Sequence, residues 1–362
     1  MKASLILALM LVLPLCIERD NDLVETKVDP RIELLYAVMR FSEYKDYENE
    51  EIKLCNQIEY NYTYKNEFDR YFSEYREHEA VGALNELKEA GVSYYDLFHC
   101  MVSLSDPPEL EHKVGQWELE SAVWGSWPEK MKPALWKRWD SFVAAMRDYA
   151  KVSDFMSFYT SHMNFYDEVV KRAGIKACRS EIENYFGRKA KSYEIILMPL
   201  AWNFGYSAMF GEGEDTQLIA LIGPFGVEND LPVFRGVELT AYHEFSHRFV
   251  KPVVKKYYNE TEEYEALYGP VKDMLTIKDS YSPWSLHAEE TIVRAISLRF
   301  MGDKEFVRER LNEYESMGFI YIRDIYDLLG EYEGNRDKYP DFESFYPEIL
   351  EWMGAMAESP SG

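Results

Sequence analysis

The stretch Val237-Glu-Leu-Thr-Ala-Tyr-His-Glu-Phe-Ser-His-Arg-Phe-Val250 contains His243-Glu244-Phe245-Ser246-His247, a pentapeptide of the form H-E-x-x-H. The surrounding residues read as one helix from about Val237 to Val250. On an α-helix, residues four apart lie about 40° apart on one face. His243 and His247 can therefore present two imidazole nitrogens to a single metal ion. Glu244 sits one step round, close enough to hold a water beside that ion without being a ligand. Two His ligands and a Glu general base make up the zinc-hydrolase reading of the motif. The bland alternative is coincidence, because a five-residue pattern is short.

Working upstream, Tyr193-Glu-Ile-Ile-Leu-Met198 and Leu218-Ile-Ala-Leu-Ile222 are short apolar runs bounded by Gly, Pro, Asp and Asn. They read as two strands. Trp202-Asn-Phe-Gly-Tyr206 between them reads as a loop or turn, and Leu231 to Phe234 as a further short strand. A small sheet thus leads directly into the motif helix. Downstream, the charged, Tyr-rich stretch from Lys251 to Tyr268 reads as a surface helix or a lid. Helices are expected over Trp284–Met301, Lys304–Met317, Ile320–Tyr332 and Phe342–Met356, with a disordered tail from Glu358 to Gly362.

The first half of the chain reads as almost wholly helical. Asp29-Pro30 supplies an N-cap and a first-turn proline for a helix running to about Phe41. Helical patterns follow over Glu67–Tyr75, Glu79–Glu89, Tyr94–Leu104, Trp117–Trp127 and Pro133–Val152, and a last one capped by Ser153-Asp154 runs to Gly174. Tyr44 to Tyr64 reads as irregular. The aromatic stripes at three- and four-residue spacing suit a packed core. The expected fold is therefore α+β and predominantly α-helical. A helical N-terminal subdomain covers residues 28–190, and a zincin-like subdomain with a small antiparallel or mixed sheet covers 191–356.

Composition narrows the function classes. The chain has 362 residues, 47% of them apolar, enough for a substantial core. A net charge of −24 repels polyphosphate, so nucleic-acid binding is excluded and a polypeptide is the expected partner. Lys2 followed by the largely apolar run Ala3–Leu15 reads as a signal peptide within residues 1–20. The run is short for a membrane span, which needs about 20 apolar residues. Cys16 directly after Leu15 leaves lipid or membrane anchoring as a variant of the same reading. Export places the protein outside the cell or on the outer face of its membrane. Cys55, Cys100 and Cys178 remain after the leader, so at most one disulfide can form among them. Asn61-Tyr-Thr63 and Asn259-Glu-Thr261 are glycosylation sequons.

A catalytic zinc site needs a third protein ligand and an open position. The stretch Leu286-His-Ala-Glu-Glu-Thr-Ile-Val-Arg-Ala-Ile296 offers His287, Glu289 and Glu290. On a helical wheel Glu289 falls within the apolar arc of Ile292, Val293, Ile296 and Phe300. A carboxylate there must be paired or ligating, because burying it alone is too costly. Glu290 lies on a mixed face with His287, Arg294 and Ser297, like the lining of a polar cleft. It can also simply pair with Arg294 at i, i+4. Spacing alone leaves the ligand role open between the two glutamates.

His243-Glu-Phe-Ser-His-Arg-Phe-Val-Lys-Pro252 and Glu290-Thr-Ile-Val-Arg-Ala-Ile296 resemble an uncharacterised prokaryotic family of H-E-x-x-H domain proteins, expected to be gluzincin-like zinc metallopeptidases. Asp29-Pro-Arg-Ile-Glu-Leu-Leu35 and Tyr75-Arg-Glu-His-Glu-Ala-Val81 extend the resemblance into the first half. The family glutamate four residues before an arginine corresponds to Glu290, so the resemblance implies His243, His247 and Glu290 as ligands of one Zn²⁺. Glu290 lies 43 residues beyond His247, a longer gap than in thermolysin-like enzymes.

The expected activity is zinc-dependent hydrolysis of peptide bonds, with Glu244 as general base and Leu218–Ile222 aligning an extended substrate by edge pairing. His287, Tyr281, Arg294 and Tyr206 are candidate oxyanion donors. His78, His99, His112 and His162 read as structural. The rival readings are an exported, metal-stabilised binding protein without turnover and a zinc hydrolase of a non-peptide substrate. Glu244 speaks against the former, since a purely structural site has no use for that carboxylate.

Overall fold

Two apolar runs form the centre of a mixed sheet. The computed structural model describes residues 22–46, 48–49, 52–53, 61–123, 131–203, 205–272, 274–275 and 281–358. The expected leader, Cys55, Trp124 to Trp127 and residues 359–362 of the expected tail lie outside them; Glu358 still ends a helix. The fold is α+β and mainly helical, as the periodicities imply. Strands Ser192–Leu197 and Gln217–Ile222 pair in parallel, Ile195 opposite Ala220. Gln217–Ile222 is apolar after its first residue and Ser192–Leu197 over its last three, as strand segments covered on both faces must be.

Two further strands complete this sheet. Gly205–Phe210, expected as a loop only as far as Tyr206, is an antiparallel edge strand with Ser207 opposite Ala220. Glu25–Val28 forms the other edge, parallel to Ser192–Leu197 with Lys27 opposite Ile196. The sheet thus draws on chain from both sides of residue 190. Gln217–Ile222 has a neighbour on each side, so it has no edge to offer a substrate, contrary to the expected alignment role. That edge belongs to Gly205–Phe210. Leu231–Val233 stays outside the main sheet and closes a hairpin with Gly226–Glu228. Its two-residue turn, Asn229-Asp230, has φ of 51° and 63°, the left-handed pair that tight hairpins require.

The helical half is organised by caps and aromatic packing. Asp29 caps the helix Pro30–Met39 through the Arg31 amide and pairs with the Arg31 guanidinium. Arg31 also donates to the carbonyls of Val102 and Leu104, tying this helix to Tyr94–Val102. The latter starts with a reciprocal capping box between Ser93 and Asp96. The segment expected as one helix after Ser153-Asp154 is two, Phe155–Ser161 and Met163–Ala173. Asp154 is left-handed and makes no side-chain cap. The break falls at His162, whose ring reaches back to the Phe158 carbonyl at 2.8 Å while its own carbonyl starts the next helix.

The motif helix runs from Val237 to Lys256, past the expected end near Val250 and through Pro252. Proline there removes one intrahelical bond. Burial of Val253 and Val254 beyond it holds the last turn against that loss. The back of this helix is core: Phe245 packs edge-on against Tyr193, Phe249 stacks on Phe186, and Tyr242 stacks on Phe300. Lys251 to Tyr268 comprises the end of this helix, the short helix Tyr258–Glu262 and a 3-10 turn at Glu265–Leu267. Beside the motif helix, and packed extensively on it, lies helix Trp284–Arg299.

Candidate metal centre

The front face of the motif helix meets helix Trp284–Arg299 across the side chains that spacing had singled out. His243 Nε2 and His247 Nε2 are 3.2 Å apart. Glu290 Oε1 lies 3.5 Å from His247 Nε2, and Glu290 Oε2 lies 3.8 Å from His243 Nε2. Ligand atoms of all three residues lie within 4.8 Å of one another. A tetrahedral zinc with bonds near 2.0–2.1 Å requires its ligand atoms to be about 3.4 Å apart. The two nitrogens and the Glu290 carboxylate suit that ion in chemical type, and their closest separations of 3.2, 3.5 and 3.8 Å lie near the required value.

Glu289 is turned away from this trio. Its Oε1 lies 3.0 Å from His247 Nδ1, on the opposite side of the ring from Nε2. The adjacent glutamates thus meet opposite nitrogens of the His247 ring, and the helical wheel explains why. Successive residues point about 100° apart, so Glu290 faces the gap between the histidines while Glu289 reaches the flank of His247.

Arg294, one turn further along the helix, anchors Glu290. It donates to Glu290 Oε2 and to Tyr281 Oη (3.2 Å), with its guanidinium 4.1 Å from the centre of the Phe319 ring. Burial alone would raise the Glu290 pKa, but Arg294 and then the two histidines lower it to about 2. Burial and the neighbouring charges of His247 and Arg294 hold the His243 pKa well below its usual value. Partial burial lowers the His247 pKa as well, yet its Glu289 hydrogen bond and the Glu290 charge raise it overall.

Glu244 sits one step round the helix, only 7% exposed. Burial raises its pKa to about 7, with Glu290 pushing the same way and His247, the Ser207 hydroxyl and Arg294 opposing. The edge strand approaches this carboxylate because residue 205 is glycine. A Cβ there would lie 2.7 Å from Thr240 Cγ2 and 2.8 Å from Glu244 Oε1. Strand alternation then places Ser207 on the same side, while Tyr206 and Phe210 meet His99 of helix Tyr94–Val102. Sequence reading missed Gly205 and Ser207, since only the strand register reveals them.

These groups border a cavity of about 560 Å³. Of the candidate oxyanion donors, Tyr206, Tyr281 and Arg294 line it. His287 is fully buried instead, stacked on Phe319 with a 9° interplanar angle and with neither ring nitrogen hydrogen-bonded among the described residues. Its pKa is lowered to about 4, mainly by burial. His99 also borders the cavity, with Nδ1 3.0 Å from Tyr206 Oη. His78, His112 and His162 instead face Asp148, Asp140 and Glu67 in the helical half. Cys100 and Cys178 are buried.

A mainly helical α+β fold with two histidines and a glutamate converging beside a second, buried glutamate defines the class to which the chain can be compared. The family described as Domain of unknown function (DUF4932) matches residues 24–352, and the chain belongs to it. No match was found among curated proteins or among solved structures.

Proposed function

We propose that this protein is a zinc-dependent peptidase that holds one Zn²⁺ through His243, His247 and Glu290. The observation that carries the reading is the convergence of these three donors with Glu244 buried alongside them. A site that only stabilises the fold has no need of that fourth group. Bound zinc supplies a Lewis acid that polarises a carbonyl and makes water acidic near pH ~7. Glu244 takes the proton from the attacking water and returns it to the leaving amine nitrogen. An extended polypeptide pairs with the edge strand Gly205–Phe210, which brings its backbone past Glu244. Tyr206, Tyr281 and Arg294 border the same cavity and can donate to a developing oxyanion.

Export belongs to the same proposal and rests on Lys2 and the apolar run Ala3–Leu15. Among the described residues no helix is long and apolar enough to cross a membrane. Sequencing the N-terminus of the chain recovered from its native host tests this part separately.

The catalytic reading is tested by assaying hydrolysis of a denatured protein by wild type and Glu244→Gln, each with its zinc content measured. Retained zinc with hydrolysis lowered at least about 100-fold is expected for loss of a general base. Equal hydrolysis by the two would remove Glu244 from that role.

A further inference from the structure

Glu289 is a carboxylate in the apolar arc of its helix, and the metal site as described makes no use of it. It is 7% exposed among residues such as Ile292, Val293 and Ile296 that are fully buried. Burying a charge in such a place is costly unless it is paired, so its contact identifies its role. That contact is His247 Nδ1, 3.0 Å from Oε1. The other nitrogen of the same ring, Nε2, faces His243 Nε2 at 3.2 Å and Glu290 Oε1 at 3.5 Å.

We infer that Glu289 is a positioning residue for His247. It accepts a hydrogen bond from Nδ1–H and so fixes both the ring plane and the tautomer whose bare Nε2 faces the other two donors. A neutral imidazole carries one proton, and the hydrogen bond made by one nitrogen decides which form the other takes. Without an acceptor at Nδ1 the proton moves to Nε2, the nitrogen that must be bare to ligate. Such outer partners of a ligating histidine typically change metal affinity by about 10–100-fold when removed. This role separates the two neighbouring glutamates: Glu290 supplies an oxygen to the ion, and Glu289 makes His247 ready for it. The inference rests on the proposed metal centre for its purpose, but the tautomer can be measured without metal.

The test compares the full-length wild type, Glu289→Gln and Glu289→Leu, with circular dichroism establishing that each is folded. In the metal-free proteins at about pH 9, ¹⁵N shifts report which His247 nitrogen bears the proton. Wild type and Glu289→Gln, whose amide oxygen can still accept, should show Nδ1–H; Glu289→Leu should show mainly Nε2–H. Zinc affinity from chelator competition should fall about 10–100-fold in Glu289→Leu and be largely kept in Glu289→Gln. An Nε2–H wild type, or a tautomer unchanged in Glu289→Leu, would overturn the inference. So would equal zinc affinity in all three. A tautomer that shifts as expected in proteins that bind no zinc would sink the metal centre while leaving Glu289 assigned to His247.

Discussion

Gly205 lies against Glu244, close enough that a methyl group on the glycine would stand 2.8 Å from the carboxylate oxygen. The edge strand can therefore pass the proposed base only because residue 205 has no side chain. Gly205→Ala must push the Glu244 and Thr240 side chains aside, an overpacking cost of about 1–3 kcal/mol. The variant should keep its zinc, melt lower than wild type and lose most of its hydrolytic activity. Thermal denaturation with a parallel zinc assay checks this. An alanine variant as stable and active as wild type would mean that the strand is free to retreat.

Arg294 is the countercharge for Glu290 and donates to Oε2, the oxygen that also lies 3.8 Å from His243 Nε2. Replacing it by Met leaves a largely enclosed carboxylate without its cation, a loss of up to about 3–5 kcal/mol, the figure for a fully buried pair. Zinc facing the same carboxylate should recover part of that loss. The rise in melting temperature on adding zinc should therefore be larger for Arg294→Met than for wild type. Equal rises would show that Arg294 and the metal do not share Glu290.

Another buried carboxylate, in the helical half, has no place in the proposed chemistry. Glu33 is 1% exposed and accepts from Tyr64 Oη, which in turn lies 2.8 Å from Tyr166 Oη. Burial raises its pKa from 4.5 to about 8, partly opposed by the Tyr64 hydrogen bond. Because the folded value lies above the unfolded one, the stability linked to this proton is fully present below about pH 4.5. It drains away as pH rises through about 8. Glu33→Gln keeps an acceptor for Tyr64 and carries no titrating proton. The variant should match wild type near pH 4 and exceed it by a few kcal/mol near pH 8 in denaturant titrations. A gap that does not widen with pH would mean that Glu33 is already ionised in the folded protein.

Several of these features were legible in the sequence and others were not, for reasons of range. The motif helix and the two central strands announce themselves because their periodicity is local. Asp29-Pro30 likewise marks a helix start in two adjacent residues. The strand Glu25–Val28 carries no such mark: it is four residues long, mostly polar, and pairs with residues 194–197 far along the chain. Gly205–Phe210 lacks β-branched residues and begins with glycine, so its first two residues read as the end of a loop or turn, and only the pairing with Gln217–Ile222 identifies the strand. The wheel reduced the third ligand to Glu289 or Glu290. The resemblance points to Glu290, but what each side chain touches, Arg294 for one and the flank of His247 for the other, lies beyond the reach of spacing. His99 read as a structural residue, and its contact with Tyr206 at the cavity depends on the unforeseen strand.

The central claim is that His243, His247 and Glu290 close a zinc site to which Glu289 contributes no bond. Metal content of the purified full-length chain tests it most directly, measured for wild type, Glu290→Ala and Glu289→Gln after equilibration with limiting free zinc. About one zinc per chain is expected in wild type and Glu289→Gln, with little left in Glu290→Ala. No zinc in wild type, or a full equivalent kept by Glu290→Ala and lost by Glu289→Gln, would contradict the account.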